Sequence, residues 1–245
     1  LDIFPKLTAV VVEGSCPIGP EITSFNIKST SLSSPLDAKD AITFFKSSYI
    51  LVPVALLDSL AGNIERFLIN DIVSTAEAGF YIVLMQYVFY LKLIVYPLTF
   101  TQLPVLSSLW DSNDLDALKK KVFKFLNYIL IFTILLGALF WFAKPLIYEQ
   151  FIGIELDSYK NNAILLFLIT VIFLNINSIF MMVMIISKKI KSLIVLKSLT
   201  LIFALSININ FLPDYGYIVS VLTLLLLAIL TTLYLGWQFI LLKKQ

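Results

Sequence analysis

The sequence predicts an all-α integral membrane protein, a helical bundle of about six transmembrane helices. Of its 245 residues, 59% are hydrophobic and 14% are charged, whereas soluble domains carry about 25% charged residues. Six apolar stretches follow residue 42, each near the roughly 20 residues that a helix needs to cross a bilayer. They do not alternate apolar with polar residues as barrel strands do, and lipid cannot satisfy open backbone amides, so we expect helices.

Residues 1–40 differ in composition from the rest of the chain. They are rich in Ser, Thr and Pro and hold no apolar run long enough to span a bilayer. We expect a poorly ordered, non-membrane leader here, in which the run 7–12 could form one short strand. The chain begins with Leu1 and shows no signal-peptide pattern, which suggests a fragment of a longer protein.

The six-helix transmembrane lobe is expected over residues 41–245, and its limits follow from the apolar runs. The predicted spans cover residues 42–62, 79–106, 122–143, 162–187, 192–212 and 217–242.

Basic residues predict the orientation of these spans, because cytoplasmic loops hold Lys and Arg in excess. The only basic residues in the first, third and fifth connections are Arg66, Lys144 and Lys160. The other connections and the tail hold ten lysines, and this alternation favours an even number of spans with both ends of the lobe in the cytoplasm. The ten are Lys119, Lys120, Lys121, Lys124, Lys188, Lys189, Lys191, Lys197, Lys243 and Lys244.

Three prolines interrupt predicted spans: Pro53 in the first, and Pro97 and Pro104 in the second. Proline inside a helix removes a hydrogen bond and bends the axis. We interpret the three as candidate hinges of a protein that moves, or as bends that fit neighbouring helices together.

Lys92 lies near the middle of the second span, where a charge costs about 2.5 to 3.5 kcal/mol. Facing inward, it would place positive potential in a central cavity that accepts an anionic, phosphate-linked head group. Otherwise it snorkels or pairs with Asp58. Asp58 in turn could pair with Lys92, hold a coupling cation or lie in the headgroup region.

Asn175 and Asn177 interrupt the fourth span near its middle. Amides inside membrane bundles commonly bond across helices, contributing about 1 kcal/mol, so these two either hold helices together or recognise a sugar. With Lys92, Asp58 and Arg66 they are the candidate substrate-binding residues.

The sequence offers no pattern for catalysis or for a metal. It has no His, one Cys (Cys16), no glycine-rich phosphate loop and no spacing typical of metal ligands. We therefore expect no enzyme activity, no metal and no cofactor. A net charge of +2 is too small to suggest nucleic acid as a partner.

The segment 65–81 resembles the joint between the seventh and eighth spans of Wzx-type polysaccharide flippases, in the multidrug/oligosaccharidyl-lipid/polysaccharide exporter superfamily. The family's usual form is Asp-Arg-Phe, an apolar stretch and Gly-Ile-Tyr. Here the acid is Glu65, followed by Arg66, and the second triplet is Gly79-Phe-Tyr81. The run 103–109 after Pro97 and the turn 210–217 also resemble the family, over about residues 42–242 in all.

The resemblance implies one lobe of a two-lobe MATE-like transporter that rocks around a central cavity. Such a protein translocates undecaprenyl-pyrophosphate-linked oligosaccharides across the bacterial inner membrane for O-antigen (lipopolysaccharide) or capsule biosynthesis. Its implied partners are the lipid bilayer, the lipid-linked oligosaccharide, and a polysaccharide polymerase or chain-length protein. Glu65, Arg66, Gly79 and Tyr81 match the motif, and Arg66 is a candidate for a transport role. One lobe alone is expected to lack half of the cavity.

Two other functions remain open. A cation-coupled multidrug exporter of the same superfamily would prefer several acids buried in the spans, where the sequence offers only Asp58. A non-transporting membrane scaffold would turn Lys92 toward a neighbouring helix and would contain no water-accessible cavity.

Overall fold

Six α-helices follow one another in the computed structural model, which describes residues 52–242. A π-helical turn, Leu146–Ile152, continues the third helix, and there is no β-strand within these residues. The predicted leader, its short strand, Cys16 and the first part of the first predicted span lie outside the described residues. The helices are α1 Val52–Ile72, α2 Thr75–Asp111, α3 Leu115–Pro145, α4 Ser158–Ile186, α5 Ile190–Tyr215 and α6 Ile218–Ile240.

Five of these helices are long and apolar enough to cross a membrane: α2, α3 with its π-helical turn, α4, α5 and α6. Helix α1 is not among the five, and it carries the charged residues Asp58, Glu65, Arg66 and Asp71. It nevertheless packs against α2 and α5. The predicted fold class is therefore confirmed: the protein is a multi-pass, all-α membrane bundle.

Short turns join the helices, and α2, α3 and α4 each begin at a capping side chain. Side chains accept hydrogen bonds from the first free backbone N–H groups: Ser74 from Glu77 at the start of α2, and Asp114 from Ala117 at the start of α3. Asp157 caps α4 in the same way, and the backbone N–H of Lys160 holds the pKa of this carboxyl below its usual range.

Several helices extend beyond the predicted spans. Helix α1 continues to Ile72 rather than ending near residue 62, and α3 begins at Leu115 rather than near residue 122. Charges that the sequence analysis assigned to connections therefore belong to helices, among them Glu65 and Lys121.

The alternating turns define two ends of the bundle. The turns 112–114 and 187–189 and the end of α6 form the lysine-rich end, where Lys119 Nζ donates to the carbonyl of Ile240 at 3.2 Å. The turns 73–74, 153–157 and 216–217 form the opposite end, where the Glu77 carboxylate accepts from the backbone N–H of Tyr217 at 3.0 Å.

Two apolar clusters fill the interior, one toward each end. The cluster at the lysine-rich end includes Leu118, Met184 and Leu193, and the cluster at the opposite end includes Ile69 and Leu212, all nearly inaccessible to solvent. Helices α1, α2, α4, α5 and α6 contribute to both clusters, and each carries polar residues between them. The bundle thus has a polar layer at mid-depth.

Candidate functional site

A cavity of about 260 Å³ lies in this polar layer, and every described helix except α3 lines it. We call it the central cavity. The polar residues of its wall that matter below are Asp58, Glu65, Lys92, Asn177, Lys197 and Thr231.

Helical spacing brings these side chains to one place. On α1, Asp58, Gly62 and Glu65 follow one another at intervals of three or four residues and so share a face. On α2, Val88 and Lys92 do the same. Because the residues recur along the helices, the cavity extends along the bundle axis, and Asp58 and Glu65 lie about 10 Å apart in depth.

An ion pair crosses the cavity wall between α1 and α5. Lys197 Nζ lies 2.7 Å from Asp58 Oδ1, with side chains 21% and 47% exposed respectively. Asp58 thus has a different partner from the one considered from sequence, Lys92. The reason is that α5 begins at Ile190, which places Lys197 two turns inside the helix and level with Asp58.

Lys92 lines the same cavity and is partly buried. It makes no ion pair and no hydrogen bond with another residue in the range 52–242. Asp58 and Lys197, which line the same cavity, pair with each other, so Lys92 is the cavity lysine without an ion pair within residues 52–242. The position of Lys92 is the one that the cavity hypothesis requires.

Two residues of the sequence motif meet in the structure. The Tyr81 hydroxyl donates to the Glu65 carboxylate, joining α1 to α2. Glu65 is only 5% exposed and Tyr81 is fully buried. The chain turns between these two residues, so that Tyr81 in α2 lies beside Glu65 in α1.

The other motif residues stand apart from the cavity. Arg66 is half-buried and does not line the cavity, and its Nε is buried without a partner in the described part of the chain. Gly79 is exposed, and a Cβ added to it would meet nothing within 4 Å.

The two asparagines of α4 both bond across helices. Asn177 lines the cavity, but its Nδ2 donates to Thr231 Oγ1 at 2.7 Å and its Oδ1 accepts from Thr232 Oγ1 at 2.9 Å. Asn175 lies outside the cavity wall and donates to Thr133 Oγ1 at 3.0 Å. These bonds favour the role of holding helices together for both residues.

All three candidate hinges belong to helices. Pro97 and Pro104 lie inside α2, and Pro53 belongs to α1.

Sequence reasoning did not identify Lys197 and Thr231 as cavity residues. The helical spacing of Lys197, Thr200 and Ala204 was a usable signal, because the three lie on one face of α5. Among the described residues, no group of three or more Cys, Asp or Glu side chains is placed to hold a metal ion.

Comparison with known proteins identifies no family for this chain. No protein-family model matches the chain, and neither curated proteins nor solved structures give a match. The fold and the cavity define a class, a multi-pass α-helical membrane protein with a charged interior chamber.

Proposed function

We propose that the chain is a lobe of a flippase that moves undecaprenyl-pyrophosphate-linked oligosaccharides across the bacterial inner membrane, for O-antigen or capsule assembly. The observation that supports this most is Lys92, a positive charge at mid-depth whose side chain lines the central cavity without an ionic partner among residues 52–242. A pyrophosphate supplies the opposite charge. The resemblance of the segment 65–81 to Wzx-type flippases supports the same substrate class.

The absence of a paired group explains why Lys92 is the binding group in this proposal. Asp58 and Lys197 form an ion pair at 2.7 Å, and Glu65 accepts a hydrogen bond from the Tyr81 hydroxyl, whereas Lys92 has neither kind of partner within residues 52–242. Placing the charge of Lys92 at mid-depth of the membrane costs about 2.5 to 3.5 kcal/mol, and an entering anion recovers part of that cost. The lysine-rich end is cytoplasmic in this proposal, because Lys marks that side of a membrane.

The size of the cavity limits what enters it. Its 260 Å³ is below the roughly 300 to 1,000 Å³ of sites that enclose drug-sized ligands. The phosphate portion of the carrier therefore enters the central cavity, while the oligosaccharide and the polyprenyl chain stay outside it.

The first test is binding of undecaprenyl pyrophosphate to the full chain in lipid nanodiscs. We expect Lys92→Gln to weaken binding at least tenfold and Lys92→Arg to retain most of it, because the charge is kept. Lys144→Gln is the matched control, since Lys144 lies against the Trp141 ring and Asn161, at the opposite end of the bundle. Equal binding by wild type and Lys92→Gln would exclude the proposed site.

The second test is translocation of a fluorescent lipid-linked oligosaccharide in proteoliposomes. Because one lobe alone is expected to lack half of the cavity, the vesicles contain the complete two-lobe transporter with this chain as one lobe. We expect it to move the fluorophore out of reach of an external quencher and its Lys92→Gln form to do so at least tenfold more slowly. Movement by the complete transporter at the rate of protein-free vesicles would argue against the flippase proposal and would leave the binding result to be interpreted as that of a scaffold.

A cation-coupled multidrug exporter is the second candidate, and one observation favours it. Glu65 is a buried acid in the cavity wall, so α1 supplies two acids to the chamber where the sequence analysis counted one. This candidate predicts that an imposed pH gradient drives uptake of a lipophilic cationic dye, and that Glu65→Gln abolishes it. The flippase proposal predicts no dye uptake by either form.

A further inference from the structure

A second cavity, of about 430 Å³, lies between α2 and α3. Three residues of α2 and six of α3 line it, and it shares no residue with the central cavity. We call it the α2–α3 groove. The inference drawn from it does not depend on the proposed function.

The lining of the groove changes from charged to apolar with depth. Lys121, Lys124, Tyr128 and Phe132 follow one another at intervals of three or four residues and so lie on one face of α3. Between the first and the last of them α3 rises about 17 Å. The two lysines are nearest the lysine-rich end, and the aromatic residues lie toward the middle of the membrane.

The part of α2 that lines the groove lies between two prolines. Leu98, Thr101 and Gln102 line the groove, and Pro97 and Pro104 flank them inside the same helix. Proline inside a helix removes a backbone hydrogen bond and bends the helix axis, which changes the distance of α2 from a straight neighbour. A gap between α2 and α3 is expected at this level.

The two lysines are free to bind an anion. Neither forms an ion pair within residues 52–242, although Asp111, Asp114 and Asp116 lie at the same end of the bundle. Lys124 Nζ lies 6.0 Å from the centre of the Tyr128 ring, at the limit of a cation–π contact.

We infer that the α2–α3 groove binds an anionic phospholipid. The phosphate lies between Lys121 and Lys124, and an acyl chain follows the apolar wall toward Phe132. Charge complementarity and the order of the lining support this occupant, because basic pockets between transmembrane helices bind anionic head groups and a lipid has the same charged-to-apolar order along its length.

The test is titration of the purified full chain in detergent with phosphatidylglycerol and, separately, phosphatidylcholine, with bound lipid counted by native mass spectrometry. A lysine whose charge faces the head group strengthens binding of anionic lipid by about fivefold. We expect wild type to prefer phosphatidylglycerol and Lys121→Gln/Lys124→Gln to weaken that binding at least fivefold. The matched control, Lys188→Gln/Lys191→Gln, removes the same charge at the same end but outside the groove, and should change binding less than twofold.

A second variant distinguishes binding of lipid inside the α2–α3 groove from general electrostatic attraction of lipid to the lysines. Thr101→Trp fills the groove from its exposed α2 wall without changing the charge, and we expect it to weaken phosphatidylglycerol binding as much as the lysine pair does. Inorganic phosphate at 100-fold excess should not displace the lipid, because it lacks the acyl contacts.

Any of four results would overturn the inference. These are equal binding of the two lipids, an equal loss in the control pair, undiminished binding by Thr101→Trp in a folded protein, and displacement by inorganic phosphate, which would indicate a soluble anion instead. Circular dichroism and the thermal midpoint establish that each variant is folded.

Discussion

At the scale of single residues, the buried tyrosines of this bundle are of two kinds. Tyr81 and Tyr148 are both fully buried. The Tyr81 hydroxyl has a partner in Glu65, whereas the hydroxyl of Tyr148 has none in the described part of the chain. Burial alone therefore does not say what a hydroxyl contributes to stability.

Tyr81→Phe should destabilise the protein by about 1 to 3 kcal/mol, because it leaves the buried Glu65 carboxyl without its donor. Tyr148→Phe, the matched control, should be neutral or slightly stabilising, since it removes a hydroxyl that makes no hydrogen bond within residues 52–242. Thermal midpoints in detergent would compare the two. Equal losses would mean that the Tyr81–Glu65 bond contributes nothing beyond packing.

The Asp58–Lys197 pair gives a second prediction at this scale. Asp58→Asn leaves Lys197 and Lys92 as uncompensated charges beside one cavity, and we expect the loss of roughly 1 kcal/mol that a polar contact between membrane helices represents. The double variant Asp58→Asn/Lys197→Gln should recover part of this loss.

The single and double variants of Asp58 and Lys197 form a double-mutant cycle, which measures the coupling energy of the pair. The exposed pair Asp157–Lys160, with Nζ and Oδ2 3.5 Å apart, is the control for this cycle. Its coupling should be small, as is usual for surface ion pairs. If the Asp58–Lys197 coupling is no larger than that of this pair, the cavity pair is not a specific contact between α1 and α5.

At the scale of helices, the first and last connections meet at the opposite end of the bundle. The Glu77 carboxylate in α2 accepts from the Tyr217 N–H just before α6, and Gly216 beside it has φ +66°. A Cβ at position 216 would lie 2.6 Å from Glu77 Oε2. Glycine is needed for this backbone conformation, and a Cβ here would displace the Glu77 carboxylate from the Tyr217 N–H.

Gly216→Ala should therefore cost about 1 to 3 kcal/mol, the usual cost of such a backbone conformation in a residue with a Cβ, and should loosen α6 from α2. Gly137→Ala is the control, because a Cβ there meets only Leu168 at 3.9 Å, an ordinary contact. Hydrogen exchange at the start of α6 would report the loosening. Unchanged exchange in Gly216→Ala would contradict it.

Helix ends show where sequence reasoning was limited. The apolar runs indicated the helices, but hydropathy falls before a helix ends, so Glu65 was assigned to a connection. Lys197 was counted with a connection although the predicted span 192–212 contains it. The capping residues Ser74 and Asp114 were visible in the sequence and mark where α2 and α3 begin. Reading the cap at Ser74 together with hydropathy would have placed Glu65 inside the bundle.

At the scale of the whole molecule, composition and the length of the apolar runs were enough to predict the fold class. The partners of the polar residues were not predictable. That Asp58 meets Lys197 rather than Lys92, or that Asn175 meets Thr133, depends on which helix faces meet, and hydropathy carries no information on this.

The alternation of the turns gives a prediction about topology. In a Cys16→Ser background, single cysteines at Ser112 and Lys188 should react from one side of the membrane, and a cysteine at Glu155 from the other. Two of these positions lie in turns at the lysine-rich end and the third at the opposite end. Reaction of all three from the same side would contradict a bundle that spans the bilayer.

The measurement that tests the central claim most directly is the water accessibility of position 92. In the Cys16→Ser background, Lys92→Cys should react with a water-soluble thiol reagent in permeabilised cells, as should Ser112→Cys, which is exposed at the lysine-rich end. Leu135→Cys, on the outer surface of α3 with 63% exposure, should not react if that surface is covered by lipid. Labelling at 92 and not at 135 is the predicted result, and absence of labelling at 92 in a folded protein that labels at 112 would contradict the cavity.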